Sequence, residues 1–235
     1  LPGKEIVGQS DFLRAVVISL KGVIDFAHRY AEEARRLLAD EGNPDRKREL
    51  EEIAEACDWI PGNPPRTFFE AVECFWLIHM ILHFIELPMV GCGIRLDQIL
   101  YPFYKKDAEE GRLTREEAVV ILEYLWGKFE EAGHIHPPII TAGTAGGNVW
   151  QTLVIGGVTS DGRDATNEVS YIILDAHKEM CTLQPPIALR YHAKIPPELI
   201  QSAIDLIRKT HAHPAFFNDN VCIARAMNRG IPIED

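Results

Sequence analysis

The sequence predicts a helix-rich α/β fold, in which a helical first half is followed by a parallel βαβαβ arrangement. Two observations support this prediction. Residues 1–135 carry apolar side chains at helical spacing. Residues 136–235 alternate short, apolar, β-rich runs with segments of helical periodicity. Strands that alternate with helices run parallel and connect through right-handed crossovers, so we expect parallel strands with crossover helices in the second half.

Five helices are expected in the first half. We place them at about 10–39, 45–57, 66–84, 95–110 and 114–132. Ser10 is a suitable N-cap for the first helix, and Thr67 with Glu70 forms a capping-box pattern at the start of the third. Thr114 is the expected cap of the fifth. Pro102 should break the fourth helix, because proline lacks a backbone donor and its ring clashes with the preceding turn.

Two segments of the first 150 residues are expected to be loops. They are 86–94 and 133–148, and both combine glycine with proline. The second contains four glycines. This glycine content suggests that the backbone approaches another group closely there.

The second half contains three expected strands joined by two helices. The strands lie at about 151–155, 186–191 and 214–217, and the helices at 166–182 and 197–210. After the first strand, a double glycine leads to a turn at Asp161 and Gly162, and Thr166 opens the next helix two residues before Glu168. Ligands of parallel α/β folds bind at the carboxyl ends of the strands, so we expect a site at that edge.

The composition narrows the possible partners and the location. The chain has 235 residues, a net charge of −11 and a pI near 5.3, which argues against binding to nucleic acid or to an anionic membrane surface. Its five cysteines are far apart and include no CxxC pair, which is typical of a reduced, cytoplasmic protein. The most apolar window, 75–90, contains two histidines and a glutamate and is too short and polar to span a bilayer.

Both ends of the sequence look cut. Leu1 is not an initiator methionine, and Glu234 and Asp235 stand where a helix would begin. We therefore expect the chain to be part of a longer protein.

The residues predict no metal site and no catalytic residue within the chain. His79 and His83 have the spacing of a helical zinc site, but the glutamate of the zincin motif is missing, so they are expected to be core histidines. Cys222 lies near an expected helix start, where a thiol pKa would be lowered, but a buried structural cysteine is the favoured interpretation. The glycines at 143, 146 and 147 precede a strand instead of following one, which is wrong for a phosphate-binding loop.

Several ordered blocks resemble the glycyl radical enzymes, the family of pyruvate formate-lyase and B12-independent glycerol dehydratase. The blocks are NPPRTF at 63–68, RLDQ at 95–98, YPFYKK at 101–106, DGRDATNE at 161–168, QP at 184–185, RYH at 190–192 and PAFFND at 214–219. They follow one another at consistent distances from about Phe12 to the last residue. They resemble the glycerol and diol dehydratase branch more than pyruvate formate-lyase itself.

The resemblance implies a fragment of a single domain whose core is a ten-stranded α/β barrel. Residues 1–135 would supply its helical surround, and 136–235 barrel strands with crossover helices. The family's thiyl cysteine should follow within about ten residues of Asp235, and its radical glycine much later, so neither group is in this chain and no cofactor is bound by it. The resemblance also implies an S-adenosylmethionine-dependent radical activase as partner, a homodimer at full length and an anaerobic setting, because a sealed barrel protects the radical.

Four residues are the expected substrate contacts. In the related dehydratases a His-Ser pair before the RLDQ block binds substrate hydroxyls, and these positions fall on Met89 and Val90 in this sequence. Trp150 falls where the relatives have a pocket aromatic, with Gln151 beside it; a plain core aromatic is the alternative interpretation of Trp150. Hydroxyl groups left unpaired in such a pocket would cost roughly 1–3 kcal/mol each, so we expect a small, weakly polar substrate.

Three alternatives stay open on the sequence alone. The full-length enzyme could add a hydrocarbon to fumarate, as aryl- and alkylsuccinate synthases do, or could decarboxylate an arylacetate. The third alternative is a non-catalytic helical scaffold or binding protein that retains part of the barrel.

Overall fold

The structure, a computed structural model, describes residues 2–83, 94–132, 138–143 and 151–231. The chain divides into two compact units, Leu1–Ile81 and Leu82–Asp235. Of the described residues, those before 82 form helices only, and the strands all lie in the second unit. The expected order of a helical part followed by an α/β part is therefore confirmed.

The first unit contains three helices. They are α1 (Pro2–Asp40), α2 (Pro44–Trp59) and α3 (Phe68–Ile81). The prediction that Ser10 caps α1 is wrong, because the helix begins at Pro2, and a proline fits the first turn of a helix, whose N–H groups have no helical partner. Ala34 of α1 packs with Leu50 and Ala54 of α2, so small side chains allow close contact between these two helices.

The start of α3 is a modified capping box. The hydroxyl of Thr67 accepts from the backbone N–H of Glu70, as predicted, at 3.2 Å. The Glu70 carboxylate accepts from the backbone N–H of Arg66 at 2.6 Å and also pairs with the Arg66 guanidinium. That guanidinium lies 4.6 Å from the ring centroid of Trp59, so a cation–π contact joins the end of α2 to the start of α3.

The second unit contains six helices and three strands within its described residues. They are α4 (Leu96–Glu109), α5 (Arg115–Glu131), α6 (Pro138–Gly143), β1 (Leu153–Gly156), α7 (Glu168–Met180), β2 (Ile187–Tyr191), α8 (Pro197–Thr210), β3 (Ala215–Asn218) and α9 (Asp219–Asn228). Pro102 lies inside an unbroken α4, which corrects the predicted break. The short α6 occupies part of the expected loop 133–148.

The three strands form one parallel sheet in the order β1-β2-β3. Helix α7 connects β1 to β2, and α8 connects β2 to β3, so the predicted βαβαβ arrangement is confirmed. In register, Ile155 lies opposite Leu189, which lies opposite Phe216. Ile155 and Leu189 are fully buried, and they form part of the apolar core of this unit.

The two edges of the sheet differ. On the β1 side, Arg95 forms a parallel bridge with Val154, and the backbone N–H of Val154 donates to the carbonyl of Ile94 at 2.9 Å. On the β3 side no strand among the described residues pairs, and Phe216 and Phe217 are 43% and 48% exposed. The described residues thus show three parallel strands and not a closed barrel.

No helix in the described part of the chain is long and apolar enough to cross a membrane.

Candidate functional site

Polar side chains gather at the carboxyl end of the sheet, the edge at which the sequence predicts a ligand site. They come from the first turn of α4, from the turn after β1, from the end of β2 and from the start of α9. The residues are Arg95, Asp97, Asp164, Asn167, Arg190, His192 and Asp219. Each belongs to one of the sequence blocks RLDQ, DGRDATNE, RYH and PAFFND, which lie far apart in the chain but meet at this edge.

Arg95 and Asp97 hold the end of β1 by binding the two backbone polar groups of one residue, Gly156. The Asp97 Oδ2 atom accepts from the Gly156 N–H at 2.8 Å and from the Ser170 hydroxyl at 2.7 Å. The Arg95 Nη2 atom donates to the Gly156 carbonyl at 2.6 Å, and Nη1 donates to the Val158 carbonyl at 2.9 Å. Together they satisfy strand-end backbone groups that have no ladder partner.

Burial shapes the electrostatics of this pair. Asp97 is fully buried, and this burial raises the pKa of its carboxyl group, although the bonds from Gly156 and Ser170 oppose the shift. Burial likewise lowers the pKa of Arg95, and the nearby positive charge of Arg190 adds to the effect. Charges held in a low-dielectric site depend strongly on their partners, so the loss of one member should be costly.

The side chain of Arg190 passes over Gly157, the second of the two glycines at the end of β1. Its Nε atom donates to Asp219 Oδ1 at 2.7 Å, and Asp219 is only 2% exposed. A Cβ atom on Gly157 would lie 2.8 Å from that Nε, which is closer than real Cβ atoms approach. Gly157 also has a φ of +83°, in the region that glycine alone adopts readily. The glycine therefore makes room for the guanidinium.

His192 forms a second, separate pair with Asp164. The His192 Nδ1 atom accepts from the backbone N–H of Lys194 at 3.2 Å, so the ring proton sits on Nε2. Nε2 lies 3.1 Å from Asp164 Oδ1 and donates to it. Thr166 donates to the same carboxylate oxygen at 2.9 Å. This arrangement fixes the turn between β1 and α7 against the end of β2.

The side chains of this cluster hold the strand ends in place. Its carboxylates, guanidinium groups and imidazole bind one another, the backbone and the hydroxyl groups of Thr166 and Ser170. Among the described residues, no three histidine, cysteine or carboxylate side chains are placed to hold a metal ion. The cluster fixes the exits of the strands, which is how a scaffold positions reactive groups that other parts of a protein supply.

The predicted substrate contacts fall mostly on residues outside the described ranges. Met89, Val90 and Trp150 lie there, so their positions stay predictions. Gln151 is described: it is fully buried just before β1, at the amino end of the strand. Its side-chain amide donates to the Phe129 carbonyl at 3.0 Å. Its role as a substrate contact also remains a prediction.

Other predicted features have mixed outcomes. His79 and His83 are each 1% exposed, as core histidines should be. Cys222, in contrast, is exposed on α9, which corrects the expectation of a buried thiol. The sequence did not predict the positioning role of Arg95, Asp97 and Arg190. Their blocks, RLDQ and RYH, indicate the family, but they do not show which side chains touch in the fold.

Comparisons with known proteins agree with this architecture. A family model described as pyruvate formate lyase-like matches residues 3–235. The isethionate sulfite-lyase of Oleidesulfovibrio alaskensis is 35% identical over all of this chain, which covers 29% of that protein. The indoleacetate decarboxylase of Tractidigestivibacter scatoligenes is 30% identical over 99% of the chain and 27% of the relative. The glycerol-bound B12-independent glycerol dehydratase of Clostridium butyricum superposes with a TM-score of 0.89 at 33% identity, over 95% of this chain and 28% of that one. The chain thus spans less than a third of the length of these relatives.

Proposed function

This chain belongs to the pyruvate formate lyase-like family, and we propose that it is a segment of a glycyl radical enzyme that acts on a small substrate by thiyl-radical hydrogen abstraction. The supporting observation is the match of a family model to residues 3–235, together with the superposition on a B12-independent glycerol dehydratase. The chain is then a wall of the reaction chamber, while the thiyl cysteine and the radical glycine belong to the polypeptide beyond it.

The described residues have properties that suit such a wall. The parallel sheet has an unpaired edge at β3 in the described part of the chain, with Phe216 and Phe217 exposed beside it. Further strands of a ten-stranded barrel would pair with this edge and cover these rings. The ion pairs at the carboxyl end would keep the strand exits rigid, which helps to exclude water and oxygen from a radical.

The partners and setting follow from the same proposal. The full-length protein would carry a glycyl radical installed by an S-adenosylmethionine-dependent activase. We place it as a homodimer in an anaerobic cytoplasm.

The proposed substrate is small and weakly polar, and its pocket is formed by Met89, Val90, Trp150 and Gln151. The pairing at the β1 edge supports this grouping. The backbone N–H of Val154 donates to the Ile94 carbonyl. Met89 precedes Ile94 by five residues and Trp150 precedes Val154 by four, so both lie close in sequence to this contact. Their apolar side chains would leave substrate hydroxyls without partners, at a cost of roughly 1–3 kcal/mol each.

Arylacetate decarboxylation is the second candidate within this proposal. It is favoured by the similarity to an indoleacetate decarboxylase, and an aromatic ring would fit a pocket of methionine, valine and tryptophan side chains.

A substrate panel tests the proposal. The full-length protein is activated anaerobically and offered glycerol, isethionate, arylacetates, and hydrocarbons with fumarate. We expect turnover of a weakly polar substrate and none of glycerol. The double variant Met89→His with Val90→Ser should gain activity on a diol, and Val120→Ser, at a partly exposed position on α5, is the control. Efficient glycerol turnover by the unaltered enzyme would contradict the proposed pocket.

A further inference from the structure

Helix α9 has a single buried contact residue. Of its residues, Asp219 alone is buried, while Val221 and Met227 are 63% and 50% exposed. The helix follows β3 directly, with Asn218 as its N-cap. Its placement on the sheet therefore depends on what Asp219 binds.

The partner of Asp219 is Arg190, at the end of the neighbouring strand β2. The guanidinium Nε atom donates to Asp219 Oδ1 at 2.7 Å, and the Arg190 side chain is itself 26% exposed, against 2% for that of Asp219. The same guanidinium passes over Gly157, which has no side chain to block it. The pair thus connects the end of β1, the end of β2 and the start of α9.

The second carboxylate oxygen gives an independent indication. Asp219 Oδ2 is buried and has no hydrogen-bond partner among the described residues. A buried acceptor without a partner is costly, so a donor at this oxygen in the full-length protein would stabilise the pair further.

We propose that the Arg190–Asp219 ion pair sets the position of α9, and that Asp219 is a positioning residue for the chain that follows the helix. The second half of this inference rests on the proposed function, in which the thiyl cysteine follows shortly after Asp235. A change in the orientation of α9 would then move the cysteine relative to the substrate. A shift of about 1 Å is enough to slow a reaction by roughly 100-fold.

Hydrogen exchange in the full-length protein tests the structural half. The variants are Asp219→Ala, Asp219→Asn, which keeps an acceptor, and Arg190→Lys. We expect faster exchange of the amides of 219–228 in the alanine variant, a smaller effect for asparagine, and unchanged protection in α8. Asp175→Asn is the control, since it removes an exposed ion pair with Arg115. Unchanged exchange in α9 of Asp219→Ala would overturn the inference, whatever the protein catalyses.

Kinetics test the functional half. With radical content equal to that of the unaltered enzyme, Asp219→Ala should lower kcat by about 10- to 100-fold and leave KM unchanged, with partial rescue by Asp219→Asn. Loosened exchange with an unchanged kcat would overturn the positioning role. A rise in KM alone would overturn it as well and would indicate substrate binding. If the unaltered protein forms no radical on activation, the proposed function and the positioning role both fail, while the exchange result still decides whether the ion pair holds α9.

Discussion

Trp126 donates its indole N–H to Nδ1 of His177, with the two nitrogens 2.7 Å apart in the core of the second unit. This bond requires a neutral imidazole, because Nδ1 acts as an acceptor. Burial lowers the pKa of His177 to about 4, and the neighbouring His213 adds to the shift. The rings of these two histidines are perpendicular, with centroids 5.1 Å apart.

Acid should destabilise the chain through His177. Because its folded pKa lies below the ordinary value of 6.5, the unfolded chain binds a proton more readily, and stability is lost as the pH falls from about 6.5 towards 4. The loss between pH 7 and pH 4 is about 3 kcal/mol for this residue. Urea unfolding of the unaltered chain and of His177→Gln at several pH values measures it.

The comparison of the two proteins isolates this residue from other acid-titrating groups. The difference between their unfolding free energies should shrink by about 3 kcal/mol over that range. A difference that stays constant with pH would show that His177 titrates normally.

Removal of the Asp97 carboxylate should destabilise the second unit strongly. Asp97→Ala leaves the Gly156 N–H and the Ser170 hydroxyl without their acceptor and removes one of the two negative charges near Arg95, those of Asp97 and Asp219, at an expected cost of about 3–5 kcal/mol. Ser170→Ala should cost about 1 kcal/mol. Thermal or urea unfolding gives both values. Asp161→Asn, which alters an exposed ion pair, should leave the midpoint unchanged; an equal effect of the two aspartate variants would refute the role of burial.

Two glycines with positive φ should respond differently to alanine. Gly157 and Gly162 have φ values of +83° and +75°, so both substitutions carry the left-handed penalty of about 1–2 kcal/mol. Only at Gly157 would the new Cβ meet another group, the Arg190 guanidinium, which adds about 1–3 kcal/mol. Chemical denaturation of Gly157→Ala and Gly162→Ala should rank them in that order. Equal losses would mean that Arg190 moves away at no cost.

The open edge of the sheet should make the isolated chain self-associate. Phe217 is 48% exposed on β3, and unpaired strand edges with apolar side chains promote association. Sedimentation of the chain alone should show concentration-dependent oligomers, which Phe217→Lys reduces and Val120→Lys, on α5, does not. A chain that stays monomeric at all concentrations would contradict this prediction.

Helices and strands were predicted well where a cap, a proline at the first turn or a regular apolar period marks them clearly. The predicted helix 197–210 coincides with α8 (Pro197–Thr210), because Pro197 fits a first turn and the apolar positions keep a regular period. The predicted cap at Thr114 is a complete capping box with Glu117. The alternation of strands and helices was sufficient to give the parallel sheet.

The misplaced boundaries have physical causes. Asn167, not Thr166, caps α7, since its side chain accepts from the N–H groups of Val169 and Ser170; asparagine and threonine both suit this position, so the sequence did not decide between them. Pro102 breaks no helix, because the interactions that bury Leu100 and Tyr104 on either side outweigh one missing hydrogen bond.

The polar cluster was not predictable from single segments. Arg95 is separated from Val158 by 63 positions, and Arg190 from Asp219 by 29. Such pairs become visible only after the sheet brings the strand ends together. The assignment of Met89, Val90 and Trp150 to the proposed pocket depends on the family resemblance and on no local signal of the sequence.

Electron paramagnetic resonance of the full-length protein tests the central claim most directly. The protein is produced once with unlabelled glycine residues and once with ¹³C-labelled glycine residues. Each sample is then activated without oxygen by a radical S-adenosylmethionine activase. We expect a stable organic radical whose spectrum broadens with the label, because the unpaired electron resides on a glycine. An activated protein with no radical signal, or with a signal that the label leaves unchanged, would contradict the assignment of this chain to a working glycyl radical enzyme.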